Sequence, residues 1–249
     1  MAGAERGAGG GHCGERGDRP GAAPDWLKPL VTAATEIDVE QLGRHNRPQP
    51  GVVPRRHAAV LVLFGEHPDH GPDLLLQERA GGDGVHAGQV SFPGGGHEHH
   101  DDDLVATALR EAAEETGLDP AGVDPLGMLP DLFIAPSGYL VRPVLAWWRA
   151  PSAVRVVDTA ESAAIVRVPL SVLADPANRF VVRHPSGWLG PAFEVSGMVV
   201  WGFTGGVIDA LLRLGGWERP WSSPEIRDLD RAWQAARTRW RGGGIGGST

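Results

Sequence analysis

The sequence predicts an α+β fold in which helices pack on a mixed β-sheet. Three observations predict it: apolar runs of strand length outnumber helical patterns, these runs come in hairpin-like pairs, and one segment has a clear amphipathic helical pattern. The regular alternation of strands and helices that would indicate a parallel sheet is not the pattern of this chain. With 249 residues, 41% hydrophobic and 22% charged, the chain can bury one sizeable core.

The first predicted elements are a helix, a connection and a hairpin. Residues 26–43 place apolar side chains at near-helical spacing, and residues 44–56 are predicted as an extended connection punctuated by prolines. Ala58–Phe64 and Asp73–Arg79 each have strand length and are separated by turn residues, which predicts a hairpin. Val90–Phe92 is predicted as a short strand before a run of glycines.

The clearest helix is predicted over Leu104–Thr116. From Val105 onward, its apolar residues recur at i, i+3, i+4 and i+7, which places them on one face. Asp101–Asp103 precede the helix, where carboxylates cap it and favour its positive end, and Gly117 follows as a stop. Further strands are predicted near residues 127–129, 140–147, 164–168, 180–183 and 199–201, and late helices near residues 204–214 and 224–239.

Charge and composition exclude several classes of protein. The formal net charge of −8 argues against general nucleic-acid binding, which needs a basic surface. No apolar run approaches the roughly 20 residues that span a membrane, and no secretory signal is visible. The single cysteine excludes an internal disulfide framework, so we expect a cytoplasmic protein. Residues 1–24 and 241–249 are rich in glycine and are expected to be disordered tails around a domain at 25–240.

Three glutamates in the predicted helix indicate a metal site. Glu111, Glu114 and Glu115 stand at i, i+3 and i+4, so they converge on one sector of the helix. Like charges at this spacing repel by roughly 0.2–0.5 kcal/mol per pair, and the last turn of a helix disfavours anions. A hard divalent cation such as Mg²⁺ or Mn²⁺ would reverse both penalties, because it prefers oxygen ligands. Arg110 can reach Glu114 at i+4; a solvated, charged helix end is the simpler alternative.

The glycine run and the helix together resemble a family signature. Gly96 is followed by five residues, Asp102, seven more residues, and then R-E-A-A-E-E-T-G-L at 110–118. This is similar to the Nudix hydrolase signature G-x5-E-x7-R-E-U-x-E-E-x-G-U, where U is aliphatic. Asp102 stands where the signature has its first glutamate, and Ala112 where a bulkier aliphatic residue is usual.

The resemblance implies a fold, a reaction and a set of site residues. The implied fold is the Nudix α/β/α sandwich with a mixed β-sheet, here with N- and C-terminal helical extensions inside 25–240. The implied activity is hydrolysis of a nucleoside diphosphate linked to another moiety, with Mg²⁺ or Mn²⁺. Glu111, Glu114 and Glu115 resemble the metal ligands, and either of the last two is a candidate to activate water. Arg110 resembles an orienting partner, and Gly95 and Gly96 resemble the turn that presents backbone to the metal site.

A second pattern is similar to that of the coenzyme A pyrophosphatase-like group of the family. That group carries L-L-T-x-R-S-A-x3-R-x3-G-x3-F-P-G-G before the signature; the matching residues here are Leu75, Leu76, Arg79, Gly88 and Phe92–Gly95. W-G-F-T-G-G at 201–206 is similar to the group's W-G-x-T segment. Gln77 and Ala80 replace the group's Thr and Ser, and its second arginine is missing around Gly81–Gly84. This resemblance implies that coenzyme A or a derivative is cleaved to 3′,5′-ADP and 4′-phosphopantetheine or its acyl form.

The remaining site candidates carry less specific signals. The residues predicted to contact a small-molecule nucleotide are Arg79, Gly94, Gly95, Gly96 and Tyr139. Asp102 or Glu98 is predicted to lie near the metal site, and Glu161 is a further candidate for water activation. Other nucleotides, such as ADP-ribose, a dinucleotide or a nucleoside triphosphate, and a nucleotide-binding regulatory module without turnover remain alternatives. A homodimer is implied by resemblance alone.

Overall fold

The computed structural model describes residues 23–42, 53–54, 56–81, 88–135, 137–221 and 225–242, with side chains described up to residue 238. Three predicted segments lie wholly or mostly outside the described residues. They are the two tails, the connection at 44–56 and the glycine tract 82–84. None of the described helices is both long and apolar enough to cross a bilayer.

The described chain alternates between strands and a smaller number of helices. The helices are α1 (Lys28–Ala34), α2 (Leu104–Thr116), α3 (Leu170–Leu173), α4 (Gly202–Leu214) and α5 (Leu229–Gly242). The strands are β1 (Arg56–His67), β2 (Gly71–Arg79), β3 (Val90–Ser91), β4 (Gly94–Gly96), β5 (Val123–Met128), β6 (Leu132–Ile134), β7 (Tyr139–Trp148), β8 (Ser162–Pro169), β9 (Arg179–Arg183), β10 (Leu189–Val195), β11 (Met198–Val200) and β12 (Ile226–Asp228).

The larger sheet is mixed, as predicted. Its order is β3-β2-β1-β7-β5, and β4, β6 and β8 pair with β1, β7 and β2 respectively. β1 pairs antiparallel with β2, which confirms the predicted hairpin, and parallel with β7. The long central strand β1 therefore anchors both the glycine strand β4 and the start of β7.

Helices cover both faces of this sheet because β1 is apolar on both sides. Leu61 and Leu63 pack against α2, whereas Val62 and Phe64 share a cluster with residues of α1 and α4. Successive strand residues point to opposite faces, so this unbroken apolar run belongs to a strand buried on both sides. Burying each leucine contributes roughly 1.5–3 kcal/mol. The α/β/α sandwich expected from the resemblance is thus the observed architecture.

A second sheet was not predicted. β11, β10, β9 and β12 form it in that order, and α5 packs against it through Leu229, Ala232 and Ala236. β10 contains Gly190 and Pro191, which weaken the local strand signal. β12 pairs in parallel with β9, which lies more than 40 residues earlier in the chain. A local sequence pattern cannot predict such a distant pairing. The helix predicted over 224–239 therefore begins later, at Leu229.

Other boundaries were confirmed or corrected by local contacts. α2 has the predicted bounds: Asp103 Oδ1 accepts a hydrogen bond from Ala106 N at 2.8 Å, and Gly117 ends the helix with φ +70°. The first predicted helix was too long, because Asp38 accepts hydrogen bonds from two following backbone N–H groups and forms a turn after α1. The glycine run, predicted as a turn, pairs with β1 as strand β4.

Candidate active site

Gly95 of β4 lies directly against the Glu111 carboxylate. A Cβ built on Gly95 would come within 2.5 Å of that carboxylate, and a Cβ on Gly94 would collide with the backbone carbonyl of Ala59. Only glycine therefore allows β4 to pair with β1 while α2 packs beneath it. The backbone of β4 therefore approaches the Glu111 carboxylate closely.

Glu111 is largely buried and lies among charges of both signs. Its side chain is 17% exposed, and this burial raises the pKa of the carboxyl above its ordinary value. Arg110, whose Nη2 lies 3.1 Å from Glu111 Oε1, opposes the rise, whereas the charges of Glu114 and Glu98 add to it. A bound cation would stabilise such a cluster.

Glu115 is the most buried of the three glutamates, and its partners come from the sheet. Oε2 accepts hydrogen bonds from Gln77 Nε2 at 2.7 Å and from the backbone N–H of Gly94 at 2.8 Å. Oε1 lies 4.0 Å from the guanidinium of Arg79. Burial raises the pKa of Glu115 to about 7, although these three partners lower it. Two donors thus occupy Oε2, and Oε1 is the oxygen turned toward the arginine.

Gln77 belongs to the site, although the sequence showed it only as a departure from a motif. Its side chain is fully buried, and its Oε1 accepts a hydrogen bond from Ser162 Oγ at 3.1 Å. Because an amide nitrogen donates and an amide oxygen accepts, the hydroxyl fixes the end of Gln77 that faces Glu115. Ser162 is 85 positions away in the chain, so no local pattern could indicate this relay.

Arg110 connects the carboxylates to the glycine strand. Nη1 donates to Glu114 Oε2 at 3.0 Å, which is the predicted i+4 contact, and Nη2 donates to the carbonyl of Gly96 at 3.1 Å. Nε and Nη2 also donate to both oxygens of Asp101, at 2.8 and 3.1 Å. This two-pronged bond holds the pKa of the Asp101 carboxyl well below its usual range. Charged, bidentate pairs of this kind are among the strongest hydrogen bonds in proteins.

The structure turns Asp101, not its neighbour Asp102, toward Arg110. The Asp101 side chain is 3% exposed and also accepts hydrogen bonds from the backbone of Glu98 and from Thr107 Oγ1. These contacts close a turn before α2 and fix the carboxylate under the arginine. Asp102, which occupies the acidic position of the signature, is exposed.

A cavity of about 1110 Å³ opens beside the carboxylate cluster. Its lining includes Arg79, Gly94–Gly96 and Tyr139, the residues predicted to contact substrate, together with the beginnings of β10 and α4. The cavity meets the carboxylates at Arg79 and Gly94–Gly96, which contact Glu115 and Glu111. Its volume slightly exceeds the roughly 300–1,000 Å³ of usual ligand pockets, so it has room for a ligand as large as a nucleotide derivative.

Two weaker candidates lie outside the cavity lining. Glu161 is exposed, and its contribution near the site is a backbone carbonyl that accepts a hydrogen bond from Ala80 N at 2.8 Å. Glu98 is 55% exposed on its side chain and lies 3.6 Å from His100 Nδ1. Glu98 still acts on the site through its charge, which raises the pKa of Glu111.

The donor atoms fit a hard divalent cation in kind. Glu111, Glu114 and Glu115 offer carboxylate oxygens, the ligands that Mg²⁺ and Mn²⁺ prefer. Within the residues that the structure describes, no three His, Cys, Asp or Glu side chains stand close enough to enclose an ion. The Glu114 side chain is 60% exposed, so it can turn toward the other two at little conformational cost.

Comparison with known proteins gives the same family as the signature. Residues 53–189 match the NUDIX domain. The "Uncharacterized Nudix hydrolase NudL" of Klebsiella aerogenes is 45% identical over 120 residues, which are 47% of this chain and 97% of that protein. The protein of the same name from Cronobacter sakazakii is 37% identical over 177 residues, 67% of this chain and 85% of that protein. A solved Nudix hydrolase from M. smegmatis, RenU, is 18% identical, with a TM-score of 0.44 over 66% of this chain and 88% of that one.

The chain belongs to the Nudix family, because the domain match spans more than half of its length and the relative that is 45% identical is covered over 97% of its own length. It is a Nudix hydrolase of a nucleoside diphosphate derivative and acts on a diphosphate bond. Nudix hydrolases generally use divalent metal ions.

Proposed function

We propose that this enzyme hydrolyses the diphosphate bond of coenzyme A or an acyl derivative, giving 3′,5′-ADP and 4′-phosphopantetheine or its acyl form. One observation carries the proposal. The two segments that resemble the coenzyme A group, before the signature and at 201–206, line the same cavity although they are far apart in sequence. A shared ligand gives a reason for both segments to be present.

In this proposal Glu111, Glu114 and Glu115 hold one or more divalent cations, Mg²⁺ or Mn²⁺. Bound there, the metal offsets phosphate charge and lowers the pKa of water. Arg110 orients Glu111 and Glu114 through its contacts of 3.1 and 3.0 Å.

Glu115 and Arg79 have distinct tasks in this scheme. Gln77 and Gly94 hold Oε2 of Glu115, so Oε1 faces the reacting water and accepts its proton. Arg79 lies beside Oε1 and lines the cavity, where its guanidinium pairs with a phosphate oxygen. Tyr139 contacts the substrate from the opposite side of β4, since its ring lies 3.9 Å from a Cβ built on Gly96.

We also propose that the Nudix domain extends over 25–240 as one unit. α1, β1 and β2 share a single buried cluster with β10, β11 and α4, which follow the matched residues 53–189. Removing either extension would expose this apolar cluster. A homodimer and a cytoplasmic location remain expectations from the sequence.

The test is product formation from a panel of coenzyme A, acetyl-coenzyme A, ADP-ribose, NADH, diadenosine polyphosphates and nucleoside triphosphates, with Mg²⁺ or Mn²⁺. We expect coenzyme A or its acetyl form to give the highest kcat/KM, with 3′,5′-ADP identified by mass spectrometry, and Glu114→Gln to be inactive. Faster turnover of another nucleotide would indicate a different substrate specificity, in line with the absence of the group's second arginine around Gly81–Gly84. Tight binding without turnover would favour a regulatory module.

A further inference from the structure

The second sheet contributes three aromatic side chains to the lining of the cavity. They are His184 and Trp188, at the two ends of the turn between β9 and β10, and Trp201, which directly precedes α4. None of the three has a task in the proposed reaction. Each side chain is half-buried, so part of its surface stays open to a ligand.

The three rings form one packed cluster. The His184 ring stacks on Trp201 with centroids 5.6 Å apart and an interplanar angle of 22°, and the Trp188 ring lies 6.3 Å from Trp201. Trp233 of α5 packs edge-on against Trp201 at 5.9 Å. A Cβ on Gly190 would collide with the Trp188 ring, so glycine lets this indole lie against β10. The cluster therefore presents a fixed aromatic surface.

The turn between β9 and β10 fixes which nitrogen of His184 carries the proton. The backbone N–H of Ser186 donates to His184 Nδ1 at 3.1 Å, and the Ser186 hydroxyl lies 2.8 Å from the same nitrogen. A backbone N–H can only donate, so Nδ1 accepts and the neutral ring carries its proton on Nε2. The turn is itself closed by hydrogen bonds from His184 N to Trp188 O at 2.9 Å and from Gly187 N to His184 O at 2.8 Å.

The cavity thus offers a ring stack and an N–H donor on one side chain. Within the described residues, both hydrogen bonds of the His184 ring fall on Nδ1, which leaves Nε2–H available to a ligand. A nucleobase matches both features, because it has a π face and ring nitrogens that accept hydrogen bonds in its plane. A phosphopantetheine chain has amide acceptors but no ring. Glu40 and Asp209 also line the cavity, and they would repel a phosphate but not a neutral base.

We propose that His184, with Trp188 and Trp201, forms the subsite for the nucleobase of the substrate. The base stacks on the aromatic cluster, and His184 Nε2–H donates to one of its ring nitrogens. This rests on the proposed function, because it concerns the same cavity. The subsite selects diphosphates that carry a nucleobase over diphosphates that lack one, and it places this selection in the second sheet, away from the carboxylates of α2.

The test measures binding without turnover, by calorimetry with AMP and with ribose 5-phosphate, which lacks the base. We expect wild type to bind AMP at least about tenfold more tightly. Trp188→Leu should weaken AMP binding about tenfold, and His184→Phe, which keeps a ring but no N–H, about fivefold. Neither variant should change the affinity for ribose 5-phosphate by more than about twofold. Trp188→Phe should retain more affinity for AMP than Trp188→Leu.

Arg183→Gln is the matched control for a change beside the same turn. The Arg183 side chain is 54% exposed and lies 3.5 Å from Asp228, and neither residue lines the cavity, so AMP affinity should stay at the wild-type value. Thermal unfolding without ligand checks that each variant is folded. Equal wild-type affinities for AMP and ribose 5-phosphate would overturn the subsite. Variants at His184 and Trp188 that weaken binding of 4′-phosphopantetheine but not of AMP would also overturn it.

Kinetics separates this inference from the proposed function. In His184→Phe, KM for coenzyme A should rise while kcat stays within about twofold. If no substrate in the panel is cleaved but AMP affinity still depends on His184 and Trp188, the base subsite stands and the proposed reaction fails. If coenzyme A is cleaved with an unchanged KM in both variants, the base subsite fails and the proposed reaction stands.

Discussion

The end of α2 and the start of α4 are two helix termini beside one cavity, and their chemistry is opposite. The last two turns of α2 carry Glu111, Glu114 and Glu115 at the negative end of the helix. The first turn of α4 lies at a positive helix end and carries no acidic residue and no side-chain cap. Both helices have 13 residues, so length does not distinguish them.

The difference shows what each terminus is suited to bind. At α2 the protein supplies Arg110, Gln77 and the N–H of Gly94 to its carboxylates, and three glutamates face two arginines, Arg79 and Arg110. At α4 no side chain caps the first turn. The comparison therefore indicates a cation at the α2 end, which the following variants test.

The largest effect is expected from neutralising the α2 end. Glu115→Gln should lower kcat by at least about a hundredfold, because it removes a ligand and a proton acceptor while keeping the shape and the oxygen that bonds Gln77 and Gly94. Glu114→Gln should act similarly. Steady-state kinetics with Mg²⁺ measures both, and Glu66→Gln, an exposed acid at the far end of β1, is the control. Near-normal turnover by Glu115→Gln would refute the comparison.

Breaking the Arg110 contact should cost stability as well as activity. Asp101→Asn removes a bidentate charged bond to an arginine that is itself 18% exposed, so we expect a loss of about 1–3 kcal/mol at pH 7. The pKa of Asp101 is depressed, so its stabilisation is present above its unfolded pKa and is lost as the pH falls below about 4. Urea unfolding of both proteins at pH 7 and pH 3.5 measures this. Asp102→Asn, at an exposed neighbour, should change stability by less than about 0.5 kcal/mol.

The metal-free protein should lose stability with rising pH because of Glu115. Its pKa is raised from 4.5 to about 7, so the folded state holds the proton more tightly than the unfolded state, and stability falls between these two values. The difference between wild type and Glu115→Gln should therefore change by about 2 kcal/mol from pH 5 to pH 8. Millimolar Mg²⁺ should offset the loss at pH 8 and do little at pH 5. Thermal denaturation at pH 5 and pH 8, with and without Mg²⁺, measures whether the stability falls with rising pH and whether Mg²⁺ restores it.

The smallest effect is expected from the relay behind Glu115. Ser162→Ala leaves Gln77 without the hydroxyl that fixes its amide, so kcat should fall by a few-fold, with KM nearly unchanged. Ser162→Thr, which keeps the donor, should retain more activity than Ser162→Ala. Val182→Ala is the control, because it creates a cavity in the second sheet and so lowers stability without touching the relay. Equal kcat in Ser162→Ala and wild type would show that the hydrogen bond from Ser162 to Gln77 does not contribute to catalysis.

The sequence predicted most of what is local. The bounds of α2, its Asp103 cap, its Gly117 stop and the β1–β2 hairpin follow from spacing and turn residues within short windows. The placement of the three glutamates at i, i+3 and i+4 of α2 follows from helical periodicity, and so does the pairing of Arg110 with Glu114. Periodicity does not by itself bring the three carboxylates of the described structure close enough to enclose one ion.

The tertiary structure decided what depends on distant partners. The choice of Asp101 over Asp102, the Ser162–Gln77–Glu115 relay and the second sheet all need contacts that no local window contains. The cavity is the clearest case, because β4 and the start of α4 are distant in the sequence and line the same cavity only in the folded chain. Periodicity fixes the face on which a side chain lies, whereas its partner is set by long-range packing of the whole chain.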